Sequence, residues 1–273
     1  PSNKFLFTKA FAHGMLARVY AEKTARDWSK VAEHCAAVES MGYKLVDDYG
    51  SMWAYDETDA TRNTTESIFE ITFSRSNGQW VWMMFHRNAY NPSDSYSWIK
   101  WITPSRDLIA AYDKEGDTER KNASIVYDEC IWSNYYPNTE YPFMHKLPTN
   151  ASSIILMRLG EIYLLHAEAL AMTGDLKGAT EYVNKIRERA GLEKVAQPAT
   201  QEDMIDVILH ERRLELAFEG IRTHDLTRNK LDIDRRFPGA HPWQVVPYNH
   251  DHLIYPIPNN EWTVSGIQQN DGY

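Results

Sequence analysis

Apolar residues recur every three to four positions between Phe5 and Ala21, at Leu6, Ala10, Met15, Leu16, Val19 and Tyr20. That is the spacing of one face of a helix. A polar turn follows, and Asp27 stands where an N-cap belongs, ahead of a second helix from Trp28 to about Ser40. Gly42 sits just past that helix, a usual place for a terminating glycine. The same plan returns in the second half of the chain. Leu156 to Met172 is helical in pattern, Thr173-Gly174 turns, and Asp175-Leu176 opens a helix to Ala190 with Gly191 behind it. Asp27-Trp28 and Asp175-Leu176 hold equivalent places, as do Glu33 and Glu181. Two such pairs predict a mainly α fold of tetratricopeptide-like helix pairs, although the Trp, Gly and Tyr of the strict repeat are mostly missing.

Between the pairs the period changes. Ile68–Phe73 and Gln79–Phe85 are short and rich in β-branched or bulky residues, and Asn77-Gly78 lies between them, which predicts a small β-hairpin. Thr103-Pro104 predicts a short helix ending near Tyr112, with the threonine as cap and the proline in the first turn. Residues 86–101 and 113–153 keep no period and read as long irregular loops with strand fragments. Thr200 caps a further helix, with Asp203 as a partial capping box, running to Glu219 and stopping at Gly220. From Arg235 onward five prolines alternate with Trp243, Tyr248, Tyr255, Ile257 and Trp262, the pattern of an ordered tail expected to lie on the core. The expected organisation is one domain over 1–273. It comprises a helix pair at 5–40, a hairpin and loop insertion at 66–153, a helix pair at 155–190, a helix at 201–219 and a tail at 235–273.

Composition narrows the function. Hydrophobic residues make up 43% and charged residues 25% of the 273, which excludes wholesale disorder. A net charge of −9 without a basic block argues against non-specific nucleic-acid binding. No apolar stretch approaches the ~18 residues needed to span a bilayer. Pro1-Ser2-Asn3 reads as a processed or truncated start. Cys35 and Cys130 stand far apart and signal neither a zinc site nor a disulfide framework. Dinucleotide, phosphate-loop, serine-hydrolase and zincin motifs are absent, so no catalytic residue, cofactor or metal is assigned. His250-Asp251-His252 places two imidazoles together, but no third ligand is indicated, and solvated loop histidines are the simpler reading. Asp47, Asp48, Asp56, Glu57 and Asp59 offer carboxylates for a glycosidase pair, yet clustered in one polar loop they more often mean solvation. What stands out is the aromatic content of 12%, with 9 Trp and 16 Tyr.

The densest charged stretch is Glu211-Arg212-Arg213-Leu214-Glu215-Leu216-Ala217-Phe218-Glu219-Gly220, followed by Arg222, Asp225-Leu226 and Arg228. At helical spacing its acids and bases are neighbours, and partly buried pairs would lock this helix to the next. An anion or catalytic carboxylate site is the other reading. With His210 the stretch resembles a pattern near the C-terminus of the SusD/RagB family, the starch-utilisation-type outer-membrane lipoproteins. Met157-Arg158-Leu159-Gly160-Glu161-Ile162-Tyr163 with Ala167-Glu168-Ala169 is similar to the family's Arg-Leu-Ala-Glu helix, Gly160 replacing the usual alanine. Ile186-Arg187-Glu188-Arg189-Ala190-Gly191-Leu192, Tyr255-Pro256-Ile257-Pro258 and the terminal Gln269-Asn270-Asp271-Gly272-Tyr273 also fit. Upstream, so do Met15-Leu16-Ala17-Arg18-Val19-Tyr20, Asp27-Trp28, Glu66 to Ser74, and Thr103–Tyr112 with Asp117 and Arg120. The family's N-terminal part, with its signal peptide and lipidated cysteine, is missing from the pattern.

The resemblance implies a non-enzymatic, cell-surface binder of glycan or another nutrient. Such a protein sits at the outer membrane through a lipid anchor and delivers oligosaccharide to a SusC-like TonB-dependent transporter. Sugar capture suits the composition, because a pyranose offers apolar C–H faces to aromatic rings and hydroxyls to polar partners. Candidate glycan-binding residues are Trp98, Trp101, Tyr96, Tyr90, Asn91 and Arg87 in the aperiodic loop, Trp80 on a strand face shared with Trp82, and Trp132 beside Asn134 and Tyr135. Core or edge packing is the plainer reading for Trp80, Trp82 and Trp132. The rival function is a tetratricopeptide-type scaffold that binds a protein or peptide. A glycosidase is a third, and it predicts reducing-sugar release dependent on a carboxylate pair.

Overall fold

The computed structural model describes residues 3–56, 58–84, 103–129, 140–234, 245–249 and 253–272. The chain forms two compact units, Pro1–Gly220 and Ile221–Tyr273. In the first, helices α1 (Lys9–Ala21) and α2 (Trp28–Glu39) pack as a pair. Asp27 caps α2 as expected, accepting from the Lys30 amide at 3.1 Å. The start of α1 differs from the expectation of a helix from Phe5. Thr8 is the cap, accepting from the Phe11 amide. The residues before it are held by strand β1 (Ser67–Ile71), where the Glu70 amide donates to the Lys4 carbonyl at 2.9 Å.

The buried face of α1 is also not the one its large residues suggest. Met15, Leu16 and Val19 are exposed, whereas Ala10, Gly14, Ala17 and Ala21 are buried. Small side chains win that face because they let the backbone approach closely. A Cβ at Gly14 would stand 2.1 Å from the Met157 sulfur.

Helix α5 (Leu159–Met172) is the centre of the unit and is buried on almost every side. Leu159, Ile162, Leu165 and Ala169 join a core with the first helix pair, while Leu164, Ala167 and Ala171 join a second core with α6 (Leu176–Arg189) and α7 (Gln201–Glu215). The caps of α6 and α7 are the expected Asp175 and Thr200, accepting from the Gly178 and Asp203 amides. The expected helix to Glu219 ends at Glu215. Residues 216–220 turn instead, with positive φ at Phe218 (66°) and Gly220 (78°). A bulky residue in the left-handed region is costly, and this turn brings Glu219 into the charged core described below.

The expected hairpin around Asn77-Gly78 does not form. β1 (Ser67–Ile71) pairs antiparallel with β4 (Ile154–Arg158), the strand leading into α5, with Ser67 opposite Arg158. Residues 74–77 close a local turn between Ser74 and Asn77, and Val81–Met84 is a single turn of 3-10 helix. Trp80 and Trp82 therefore lie on no strand. A hairpin does exist elsewhere, between β2 (Ile125–Asp128) and β3 (Tyr141–Met144). Helix α3 spans Arg106–Glu115 with Ser105, not Thr103, as its cap, and α4 spans Thr118–Ser124 with Asp117 as cap.

The second unit holds α8 (Arg222–Arg228), a two-residue ribbon of β5 (Ile233–Asp234) with β6 (Val245–Val246), and α9 (Asn259–Ser265). Its chain end is clasped by Gln269, whose side chain bonds both the amide and the carbonyl of Ile257 at 2.8 Å. Among the described residues, no helix is long and apolar enough to cross a membrane.

Candidate functional site

Two features of the first unit compete for a functional reading, and the charged core is the larger. Arg158 is fully buried and donates from Nη1 to Glu66 (2.6 Å) and Glu215 (2.6 Å), from Nε to Glu219 (2.8 Å), and from Nη2 to the Glu215 carbonyl (2.7 Å). Arg120, also fully buried, holds Asp117 (2.6 Å), Glu211 (2.5 Å) and Glu215 (3.2 Å). Arg187 takes the other oxygen of Glu211 at 3.1 Å, and Arg189 reaches both Glu66 and Glu215. Lys146 reaches Glu219 (2.7 Å) and the Tyr49 hydroxyl (2.8 Å), with its ammonium 4.4 Å from the centre of the Trp53 ring.

Electrostatics decide what this cluster can do. Burial pushes the Glu215 carboxyl up, but Arg189, Arg158 and Arg120 together outweigh it and hold it well below its ordinary value. Burial pulls the Lys146 ammonium down to about 8, against the attraction of Glu219. Both oxygens of Glu66, Glu211, Glu215 and Glu219 are occupied by buried cations. A general acid or base needs a free oxygen within reach of substrate, and these offer none. The cluster is an interlock joining Glu66, at the entry to β1, with α4, β4, α6 and α7. The outlying Arg213 pairs with Asp107, which is 65% exposed, so that member of the charged stretch belongs to the surface.

The loop acids are turn formers. Asp48 accepts from the Gly50 amide, and Asp56 accepts from the Thr58 amide and hydroxyl and the Asp59 amide. The Thr58 hydroxyl, with those amides, holds the Asp56 carboxyl down to about 2. Glu57 and the His250-Asp251-His252 run lie outside the described residues. Among the described residues, no group of three or more His, Cys, Asp or Glu is gathered to hold a metal.

The second feature is the corner that carries Trp80, whose side chain is 58% exposed. Of the plainer expectation for this residue, core or edge packing, the core half does not hold. Buried Gln79 fixes the corner on both sides. Its amide donates to the Asn150 carbonyl (2.9 Å), its Nε2 donates to the Thr149 carbonyl (3.1 Å), and its Oε1 accepts from the Trp82 amide (2.8 Å). Asn150 in turn donates to the Arg75 carbonyl at 3.2 Å, and a Cβ at Gly78 would stand 2.4 Å from its side-chain nitrogen. A large ring is thus presented to solvent on a backbone that has little freedom to move. Trp82 is half-buried beside it. Arg87, Tyr90, Asn91, Tyr96, Trp98, Trp101 and Trp132 lie outside the described residues. Gln79 and Asn150 were not singled out from sequence, and only the nearby Asn77-Gly78 hinted at a turn.

Comparison with known proteins fits this architecture. Residues 145–273 match the SusD family model. The starch-binding protein SusD of Bacteroides thetaiotaomicron is 33% identical over 152 residues, 52% of this chain and 25% of its own. SusD-like protein P38 of Formosa agariphila is 29% identical over 184 residues, 61% of this chain and 35% of its own. The chain thus spans only about a quarter to a third of these relatives' length. A solved SusD superfamily protein from Bacteroides thetaiotaomicron superposes on 98% of the chain and 61% of its own length, with a TM-score of 0.77 at 24% identity, a likeness of fold. Over residues 145–273 the chain is therefore similar to the C-terminal portion of the SusD family pattern.

Proposed function

We propose that this chain is part of a non-enzymatic, cell-surface protein that binds an oligosaccharide or polysaccharide and hands it to a partner TonB-dependent outer-membrane transporter of the SusC type. A lipid anchor outside this sequence would hold it at the membrane. The observation that carries the reading is Trp80, an exposed ring on a corner locked by Gln79 and Asn150. A sugar's C–H face covers such a ring at little entropic cost, because the ring is already placed. The sequence that follows would add the rings of Tyr90, Tyr96, Trp98 and Trp101, with Asn91 or Arg87 as a hydroxyl partner. The name of the starch-binding relative supports a glucan or similar glycan as the ligand class.

The test is a glycan array on the full-length protein, followed by calorimetry on Trp80→Ala, Trp98→Ala and Trp101→Ala. Loss of a stacking platform should weaken binding by about 1–3 kcal/mol, by analogy with bases stacked on aromatics, with melting unchanged. Parental affinity in all three variants would refute the placement. Co-purification with a TonB-dependent transporter tests delivery. Sustained cleavage of the bound oligosaccharide, abolished by one carboxylate substitution, would refute the non-enzymatic reading.

A further inference from the structure

Away from the charged core and the Trp80 corner, the first helix pair brings two imidazoles into contact. His13 of α1 and His34 of α2 face each other with Nδ1 atoms 3.0 Å apart and ring centroids 5.1 Å apart. Both side chains are half-buried, so solvent reaches them. Their backbones are fixed by the caps Thr8 and Asp27 and by the packed Ala10, Ala17, Val31, Cys35 and Val38 between the helices. Tyr20 stacks on the His34 ring at 5.7 Å and limits its rotation.

Two imidazole nitrogens bound to one divalent ion at about 2.0–2.1 Å stand about 2.9 Å apart at a right angle and about 3.3 Å apart at the tetrahedral angle. The observed separation lies inside that span. We propose that His13 and His34 form a two-histidine clip across α1 and α2 for a divalent d-block cation. Nitrogen donors suit copper, nickel and zinc rather than calcium or magnesium, and copper(II) binds tightest by the usual order of stability. Water completes the coordination shell, since no group of three or more His, Cys, Asp or Glu is gathered among the described residues. The site is therefore an exchangeable one. Glu33, beside His34 in sequence, attracts a cation here, and Lys9 opposes it. In the ion-free neutral pair one Nδ1 carries the shared proton. Binding needs both Nδ1 lone pairs, so that proton moves to the Nε2 of its own ring and none is released.

The experiment titrates copper(II) and nickel(II) into the protein by calorimetry, in a background of His250→Gln and His252→Gln that removes a competing chelating run. One ion per chain is expected, with affinity at least tenfold lower in His13→Asn and in His34→Asn. Nickel should raise the melting temperature of the background protein and leave both variants unmoved. Copper electron paramagnetic resonance on the background protein needs no change at either histidine and should show coupling to two imidazole nitrogens. Coupling to a single nitrogen, or unchanged affinity in both variants, overturns the proposal.

Discussion

Arg158→Ala removes one guanidinium from three carboxylates at once, the buried Glu66 and Glu215 and the nearly buried Glu219. Glu66 keeps Arg189, Glu215 keeps Arg189 and Arg120, and Glu219 keeps Lys146, so no acid is stripped bare. Glu66 nevertheless loses its shortest contact, Glu219 its two-bond contact, and Glu215 one bond to its carboxylate and one to its carbonyl, in a place that is almost wholly shut off from water. Breaking a buried ion pair from one side costs about 3–5 kcal/mol. For a unit of this size each kcal/mol lowers the melting temperature by about 2–4 °C, which gives a drop of roughly 6–20 °C. The matched control is Arg213→Ala, whose partner Asp107 is mostly exposed. A surface pair is worth about 0–1 kcal/mol, so that variant should melt no more than about 4 °C below the parent. Differential scanning calorimetry at neutral pH reads both. Raising the salt should shrink the Arg213 effect and leave the Arg158 effect in place, because buried pairs are weakly screened. If Arg158→Ala melts no lower than Arg213→Ala, the cluster is hydrated and the interlock argument fails.

The remaining predictions concern acid, volume and placement. Glu215 and Glu219 have folded-state pKa values held below the ordinary one, so the stability they confer is full above about 4.5 and is lost as the pH falls through those lower values. Asp117, which burial raises, works in the opposite sense. Melting measured from neutral pH down to about 3 should stay level and then fall steeply below about pH 4, and a level profile throughout would contradict the assignment. Gly160→Ala places a Cβ 2.5 Å from an Arg158 nitrogen and 2.8 Å from a Glu215 oxygen. It should cost about 1–3 kcal/mol by overpacking, read by urea denaturation, and a neutral result would show that the cluster has room to shift. Gln79→Ala should weaken glycan binding at constant Trp80 and shift the melting point by only a few degrees. Parental affinity would mean that the corner need not be rigid.

The helix pairs were legible because caps and terminal glycines are local signals. Asp27, Asp175 and Thr200 sit where their side chains must, whatever packs against the helices. The face of α1 was not legible. A periodicity count favours large residues, while the fold buries an alanine and glycine stripe that lets the helix approach Met157. The hairpin failed for a related reason: Asn77-Gly78 does mark a turn, but β1 finds its partner in β4 on the far side of a long insertion. The charged stretch was recognised as a lock, whereas its partners Arg120, Lys146 and Glu66 lie too far away in sequence for any spacing rule. Of the candidate glycan-binding residues, only Trp80 falls within the described residues, and it is exposed where core or edge packing was the simpler expectation.

The interlock also bears on how fast the chain can open and close. Its bonds join positions separated by 91 residues (Arg120 to Glu211), 92 (Arg158 to Glu66) and 123 (Arg189 to Glu66). Loops of that length are slow to close, and a charge gives up its water profitably only when all its partners have arrived. A half-assembled cluster is therefore worse than none, which places its completion after the rate-limiting step. Interactions absent from that step govern unfolding, not folding. Substitutions in the cluster should accelerate unfolding and leave the refolding rate nearly untouched. The buried arginines then act as a catch that shuts last and, once shut, lengthens the lifetime of the native state against proteases.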